Sequence, residues 1–401
     1  MYRIDDDRTL GRRTAKVLVA TLASCGLGAV LGFALWALLS LAYGLTELIW
    51  GSVASSEAPR IMALAICICG GLALGWWNRR FQSSPRPFHE VLSMARQDGS
   101  FLLDRPFATL VSFLLPLSCG APVGPEAGLT GFAADGCTRI GRVLRKVVGS
   151  RDDGSIALAK AERAFVYGLG IVGGGLGIWI FSLLFEGAGL PRLPIPEFSV
   201  ESVLWVPALT VAGMALSWLL RRFQVLASKI SEHFGGRDVF RAVACGIIIA
   251  VVAAFLPYTL FPGTEQLSGL METWDQMGTA ELVLTSVFKL ALLALCLEMG
   301  WRGGPFFPLI FSAACLGLGF SAVFGIDPNV SMIVVASSLL GRFTRKLPFA
   351  LFIAVTFIPI RALPWAMVPL AAGCVLPTVE ELAIRRRGSG RRDGAGYPMP
   401  S

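Results

Sequence analysis

The fold of this chain is decided at Gly124-Pro125-Glu126-Ala127-Gly128-Leu129, a stretch that places one carboxylate between two apolar segments. Carboxylates inside membrane segments are costly and by default mark a pathway for ions, protons or substrates. Glycine and proline predict that a helix begins here, and the first turn of a helix has unpaired N–H groups that attract anions. Glu126 can therefore be the bound anion itself, or it can move aside for one. In a soluble chain the same stretch would indicate only an ordinary helix start.

The composition is that of a polytopic membrane protein. Of the 401 residues, 54% are hydrophobic and only 15% are charged, whereas soluble domains usually carry about 25% charged residues. Several apolar runs reach the roughly 20 residues that span a bilayer. The net charge of +8 does not indicate nucleic acid, because the basic residues cluster between apolar segments and near both termini. That distribution is the positive-inside pattern of membrane proteins.

The charge pattern also predicts orientation and domain organisation. Basic residues are densest at 3–16 and 385–392, so we expect both termini in the cytoplasm and the protein in the cell membrane (inner or plasma). The predicted divisions are a cytoplasmic N-terminal segment (1–15), a transmembrane domain (16–385) with inverted halves at about 16–190 and 198–385, and a basic disordered tail (386–401).

Metal and cofactor chemistry is not indicated. The chain has two histidines, His89 and His233, both in polar segments, which argues against a histidine-built metal centre. The nine cysteines lie mostly inside apolar stretches and are typical of small buried residues rather than of a disulfide framework. We therefore predict no cofactor and no metal.

Glycine and proline interrupt the apolar sequence in three places, at 83–87, 124–128 and 303–308. Paired interruptions in the two halves of a membrane protein point to a binding site in an inverted-repeat transporter. After the first interruption, two serines followed by prolines predict the capped start of a short helix at about 88–97. Two interpretations of that helix stand: a cytoplasmic loop helix, or a half-helix aimed back into the membrane with a hydroxyl near an anion.

Three further boundaries are predicted from the pattern. The helix from the central stretch should end near Asp135, where a basic loop follows. Gly173–Gly175 should separate two apolar pieces at 155–172 and 174–186. Residues 221–241 should form a basic inner loop between spans at 198–220 and 242–257.

The motifs resemble those of the CLC chloride channels and proton-coupled chloride antiporters. The family motif G-(R/K)-E-G-P corresponds to residues 124–128, Gly-Pro-Glu-Ala-Gly, and the motif G-G-x-F-x-P corresponds to residues 303–308, Gly-Gly-Pro-Phe-Phe-Pro. The motif G-S-G-I-P is matched only by a serine and the last proline of residues 83–87, Ser-Ser-Pro-Arg-Pro. The resemblance covers roughly residues 15–385.

The resemblance implies an all-α fold of uneven, partly re-entrant helices in two inverted halves. It also implies a homodimer with one pore in each subunit, which moves chloride or another small anion, with protons as the second partner. By position, Glu126 is the gating glutamate, Ser84 the inner hydroxyl on the anion, and Gly304, Pro305 and Phe306 the backbone around the central ion. Pro305 has no N–H, so one backbone donor found in other members is missing here.

Two family features are altered in this sequence. The family usually has a tyrosine near its last membrane helix, but none of the five tyrosines falls there; Thr378 is the candidate substitute. Glu186 ends the helix that carries the inner proton-transfer glutamate in the antiporters, but the Asn-Ala-Pro segment before it is absent. The alternative for Glu186 is a helix-end carboxylate paired with an inner arginine.

Three classes of function therefore compete. The first is a proton-coupled chloride antiporter, in which an ionised Glu126 competes with chloride and a protonated Glu126 swings away. The second is a passive channel for chloride or another anion. The third is an intramembrane protease, because Glu380, Glu381 and Arg385 spell E-E-x-x-x-R; that class needs paired histidines on membrane helices, and the chain does not offer them. We expect the protein not to be an enzyme.

Overall fold

The computed structural model describes residues 2–53, 56, 58–148, 160–184 and 192–377. Fourteen α-helices form nearly all of the regular structure in those ranges, which confirms the predicted all-α class. They are α1 (Tyr2–Trp50), α2 (Pro59–Phe81), α3 (Phe88–Gln97), α4 (Pro106–Ser118), α5 (Glu126–Val148), α6 (Lys160–Leu184), α7 (Val200–Glu232), α8 (Asp238–Ala253), α9 (Gln266–Thr273), α10 (Thr279–Glu298), α11 (Phe306–Phe324), α12 (Pro328–Thr344), α13 (Leu347–Phe357) and α14 (Leu363–Val375).

The helices differ widely in length. Five of them are long and apolar enough to cross a membrane: α1 from Thr14 onward, α2, α7, α10 and α11. Others, such as α4 and α13, are apolar but have only 13 and 11 residues. At about 1.5 Å per residue these short helices cannot cross a hydrocarbon core of roughly 30 Å. Helices of this length do not span a bilayer by themselves.

The described residues divide into two compact units. The first unit comprises residues 1–191 and 220–312. In it, α1 and α6 approach so closely that a Cβ at Gly173 would overlap the carbonyl oxygen of Cys25, and one at Gly177 would overlap that of Ala29. Small residues permit such close packing of membrane helices. The predicted break at Gly173–Gly175 is therefore wrong: α6 is continuous there, and its glycines serve packing.

Two other helices of the first unit, α2 and α8, hold the stretch that leads into α11. A Cβ at Gly246 would overlap the backbone of Cys67, so these two helices are also in close contact. The amide of Asn78 donates to the carbonyl of Gly300 at 3.0 Å, and the indole of the buried Trp301 donates to the carbonyl of Ala242 at 2.8 Å. These side chains fix the backbone on the C-terminal side of α10.

The second unit comprises residues 192–219 and 313–401, of which 192–219 and 313–377 are described. Its centre is α12, which is buried along nearly its whole length. Asp327 caps this helix by accepting from the N–H groups of Asn329 at 2.7 Å and Val330 at 3.0 Å. The hydroxyl of Ser338 donates to the carbonyl of Thr210 at 2.6 Å and so joins α12 to α7.

Two predicted helix ends are wrong in the same direction. Helix α5 continues past Asp135 to Val148. Helix α7 continues past residue 220 to Glu232, so only residues 233–237 separate it from α8. Charged residues do not end a helix when they lie on its polar face or pair along it. Arg139, for example, contacts Asp135 at 2.7 Å one turn earlier.

The short helix α3 has the predicted bounds but not the predicted cap. Pro87 precedes its first residue, and no side chain caps it. The serines are used elsewhere: the Ser83 hydroxyl bonds to that of Thr109 at 2.7 Å, and Ser84 bonds to Arg302. The inverted halves predicted at about 16–190 and 198–385 stay a prediction. The two compact units are each built from two separate segments of the chain and do not test that division.

Candidate functional site

Two loops of the first unit have the same backbone geometry, offset by 180 residues. In the first loop, α4 ends at Ser118, Gly120 has φ +86°, and α5 begins at Glu126. The second loop repeats this: α10 ends at Glu298, Gly300 has φ +94°, and α11 begins at Phe306. In each loop the residue after the glycine donates its N–H to a carbonyl five residues earlier, at 3.0 Å. This is a Schellman helix end, which glycine favours because it adopts positive φ without strain.

The two loops are joined through backbone hydrogen bonds. Gly124 and Gly304 exchange two of them, each 2.6 Å long, and so form an antiparallel bridge. The bridge brings the first residue of α5 against the first residues of α11. The residues of the two sequence motifs thus meet, although they are far apart in the chain.

The Glu126 side chain lies on the N-terminus of α11. Its Oε1 accepts hydrogen bonds from the N–H of Phe306 and, at 3.3 Å, from the N–H of Phe307. Both N–H groups belong to the first turn of α11, which has no preceding turn of helix to accept their hydrogen bonds and where the helix dipole favours negative charge. The carboxylate therefore occupies a backbone anion site. Pro305 lies just before these donors and supplies a carbonyl instead, which accepts from Leu309 at 3.1 Å.

The other carboxylate oxygen is enclosed but unbonded. Glu126 Oε2 is inaccessible to solvent and has no hydrogen-bond partner among the described residues. Gly124 and Gly304 touch the carboxyl group so closely that a Cβ on either glycine would overlap it. A buried oxygen without a partner is costly when charged, and it can bind a proton without disturbing the bonds that Oε1 makes.

Ser84 lies in a separate, polar part of the same unit. Its hydroxyl accepts from the Arg302 guanidinium at 3.0 Å, and Arg302 precedes the bridging Gly304 by two residues. Both residues line a cavity of about 560 Å³. Other charged residues that line this cavity are Arg86, Glu90, Asp104 and Arg105.

The structure thus brings together some of the predicted site residues and not others. Glu126, Gly304, Pro305 and Phe306 meet in one site, whereas the hydroxyl of Ser84 is held by Arg302. Glu186 and Thr378 lie outside the described residues, as do the residues of the E-E-x-x-x-R motif.

Sequence reasoning missed Phe307, Arg302 and the equivalence of the two loops. The signal for the equivalence is in the sequence: residues 117–125 and 297–305 both read L-x-x-G-x-x-x-G-P. Phe307 follows from the rule that several successive N–H groups are unpaired at a helix start. Arg302 is the single charged residue of the stretch 299–308.

A comparison with models of protein families shows which family the chain belongs to. The model of the family described as voltage gated chloride channel matches residues 157–377, more than half of the chain. The chain belongs to this family. The matched range includes the second motif, whereas Glu126 precedes it. Membership makes this a CLC-type anion-transport protein of the membrane, as the resemblance implied.

Curated relatives match over most of the chain. Proteins provisionally named ion-transport protein YfeO, from Escherichia coli (strain SMS-3-5 / SECEC) and Escherichia fergusonii, are 24% identical over 387 residues. The alignment covers 86% of this chain and 90% of each relative.

Solved structures share the fold. A CLC-type fluoride/proton antiporter has a TM-score of 0.64 at 15% identity and covers 90% of this chain and 95% of its own. A slow cyanobacterial Cl⁻/H⁺ antiporter has a TM-score of 0.63 at 14% identity and covers 93% and 99%. A eukaryotic CLC transporter has a TM-score of 0.63 at 16% identity and covers 92% of this chain and 74% of its own. These matches confirm the predicted CLC-like fold.

Proposed function

We propose that this protein exchanges chloride or another small anion for protons, with Glu126 as the gate. The observation that carries the proposal is the carboxylate of Glu126 on the N–H groups of Phe306 and Phe307. A carboxylate and a chloride ion require the same donors, so only one of them can occupy the start of α11 at a time.

Protonation of Glu126 would decide which of the two is bound. Hydrogen bonds to a charged acceptor are worth about 1.5–3 kcal/mol each, roughly twice as much as bonds to a neutral one. A protonated Glu126 therefore loses most of its advantage over chloride at the two donors. The unbonded Oε2 is the atom where the proton would be held. Anion binding at the start of α11 and proton binding to Glu126 would be coupled in this way.

The remaining predicted residues fit the same proposal. Phe306 and Gly304 would contribute backbone to the anion site, Ser84 would contact the anion at the inner end, and Glu186 would load protons from the cytoplasm. Pro305 would line the anion site without donating a hydrogen bond, because proline has no backbone N–H. Thr378 would replace the tyrosine that usually contacts the anion. We propose a homodimer with one pore in each subunit, since that is the family arrangement that the resemblance implies.

The experiment that tests antiport is flux from proteoliposomes with internal pH recorded during transport. An outward chloride gradient should drive protons inward against their own gradient. Chloride movement with no proton movement, even when an ionophore clamps the voltage, would contradict the proposal. That outcome would favour a passive channel, the alternative that the missing family tyrosine and the altered serine motif at 83–87 leave open.

We propose further that both termini and Ser84 face the cytoplasm. Arg79 and Arg80 lie in the last turn of α2, a few residues before Ser84, and basic residues favour the cytoplasmic side. The end of α1 at Trp50 would then lie on the outer side. Cysteines introduced at Gln97 and Ser268, both exposed, should react with a membrane-impermeant reagent from opposite sides. Reaction of Gln97→Cys from outside intact cells would reverse the orientation.

A further inference from the structure

A chamber of about 160 Å³ borders the residue before the gate, on the side of the unit where α1 ends. Pro125 forms part of its wall, so the chamber reaches the backbone that carries Glu126. The other walls are α1 (Leu39, Ala42, Tyr43, Thr46), the end of α4 (Leu117) and the segment from Phe261 to Gln266. The volume admits several water molecules. The topology proposed above places this chamber at the outer face.

Tyr43 is the polar centre of the chamber. Its hydroxyl donates to Thr264 Oγ1 at 2.8 Å, which joins α1 to the segment that covers the chamber. Because the hydroxyl donates there, its oxygen keeps lone pairs that can accept another hydrogen bond. The carboxyl groups of Glu265 and Glu126 both lie within electrostatic range of this hydroxyl. Tyr43 is thus near an exposed carboxyl and near the gate.

Glu265 is suited to take up and release protons. It is exposed at the mouth of the chamber, in a segment outside the membrane-spanning helices. Partial burial of the carboxyl, and then the negative charge of Glu47 on α1, raise the pKa of Glu265 above its ordinary value. A carboxyl with a raised pKa exchanges protons closer to neutral pH than an ordinary glutamate does.

Among the described residues, the charged group that acts on this carboxyl is Glu47 of α1. The neutral hydroxyl of Tyr43, also on α1, lies between two carboxyl groups, those of Glu265 and of Glu126 on α5, and feels the charge of both. From α10 the ammonium of Lys289 approaches the chamber through Gln266, whose Oε1 it contacts at 3.4 Å. The buried lysine keeps the chamber from being purely acidic, while the carboxyls provide the groups that titrate.

We propose that Glu265 is an outer proton-transfer residue, which exchanges protons between the external solvent and Glu126 through the chamber beside Tyr43. The proposal rests on the antiport function proposed above and extends it. In the outward direction, the O–H bond of protonated Glu126 breaks as the Tyr43 oxygen takes the proton, and Tyr43 gives its own proton to Thr264 Oγ1. The Thr264 hydroxyl in turn gives its proton to chamber water, which passes a proton to the Glu265 carboxylate. Glu265 then releases the proton to external water. No electrons are transferred, and Tyr43 is neutral before and after.

The test compares Glu265→Gln with the native protein in proteoliposomes. The proton flux should fall by at least about tenfold, since a positioned proton-transfer group typically contributes this much or more. Glu265→Asp keeps the carboxyl and should keep most of the flux. Tyr43→Phe should also slow proton movement. A small diffusible buffer such as imidazole on the outer side should restore proton flux in Glu265→Gln, which it would not do if the residue were merely structural.

Matched controls separate this role from nonspecific effects. Glu272→Gln makes the same change on the exposed face of α9, seven residues later, and should behave as the native protein. In a Glu126→Gln background, Glu265→Gln should leave anion flux unchanged, because it acts only on the proton. Native proton flux in Glu265→Gln, or an equal loss in Glu272→Gln, would overturn this inference while leaving Glu126 as the gate. A native protein that moves no protons would overturn both proposals.

Discussion

The backbone N–H of Phe306 donates a hydrogen bond to the Glu126 carboxylate, across 180 residues of sequence. Each residue is the first of its helix, and the two loops that lead into these helices have the same geometry. A helix start that would bind an anion is therefore occupied by a side chain from the equivalent helix start. In the proposed function the occupant is exchangeable, because the donors are backbone groups that any anion can use.

The first prediction concerns the charge of Glu126. Glu126→Gln has nearly the same size, so the fold should tolerate it, but glutamine cannot be ionised. We expect anion flux to persist or rise, since a neutral amide competes poorly with chloride for the N–H groups, and proton coupling to disappear. Chloride flux and internal pH in proteoliposomes measure both quantities.

The control for that variant is Glu281→Gln, which makes the same change at a half-buried position in the first turn of α10. It should leave flux and coupling unchanged. If Glu126→Gln retains both the native anion flux and its dependence on pH, Glu126 is not the gate and the proposed function fails at its centre.

The second prediction concerns the space around the gate. Gly304→Ala places a methyl group where the Glu126 carboxyl lies, so the side chain must leave the start of α11 or the bridge to Gly124 must open. Overpacking of this kind costs about 1–3 kcal/mol. We expect anion flux that depends less on pH than in the native protein, together with a lower melting temperature.

The matched control is Gly131→Ala on α5, where the nearest atom to an added Cβ is 3.7 Å away, on Leu103. It should be close to neutral in flux and in melting temperature. Native pH dependence in Gly304→Ala would show that the carboxyl does not need its position against the glycine.

The sequence predicted the fold class and the two motifs that meet at the start of α11, because glycine and proline between apolar runs have few other uses in a membrane chain. Two kinds of predicted boundary were wrong. Charged residues were expected to end a helix near Asp135, and glycines were expected to interrupt one at Gly173–Gly175, but both helices continue there. In the first case the charges pair along the helix, and in the second the missing Cβ serves the approach of α1. Both are tertiary effects that local composition does not contain. The contact of Ser84 with Arg302 was equally unpredictable, since it joins segments 218 residues apart.

The third prediction concerns anion entry at the polar cavity. Arg302 is exposed, and its guanidinium holds the Ser84 hydroxyl, so an arriving anion meets a positive charge beside a hydroxyl donor. Arg302→Gln should raise the chloride concentration needed for half-maximal flux from that side by about two- to fivefold, the size expected of an exposed charge. The effect should weaken at high ionic strength, because salt screens exposed charges.

Arg86→Gln is the control, since Arg86 lines the same cavity but already contacts Glu90 at 3.4 Å. It should shift the half-maximal concentration less than Arg302→Gln does. Equal shifts would mean that the cavity attracts anions by its total charge rather than through Arg302, and no shift in either variant would remove this cavity from the anion path.

The last prediction concerns Lys289, which is fully buried in α10. Its ammonium donates to the carbonyls of Tyr258 at 2.7 Å and Leu260 at 2.9 Å, and lies 4.1 Å from the centre of the Phe311 ring. Lys289→Met keeps the length of the side chain but leaves both carbonyls without this donor, at a cost of about 1–3 kcal/mol for each. Because those carbonyls lie directly before the segment from Phe261 to Gln266 that covers the outer chamber, the loss should appear as local opening of residues 258–266. We expect faster amide hydrogen exchange in residues 258–266 and unchanged exchange in α12, whereas Lys229→Met, at an exposed position of α7, should change neither. Unchanged exchange in residues 258–266 would show that the segment is held by its other contacts, and the chamber would then not depend on the buried lysine.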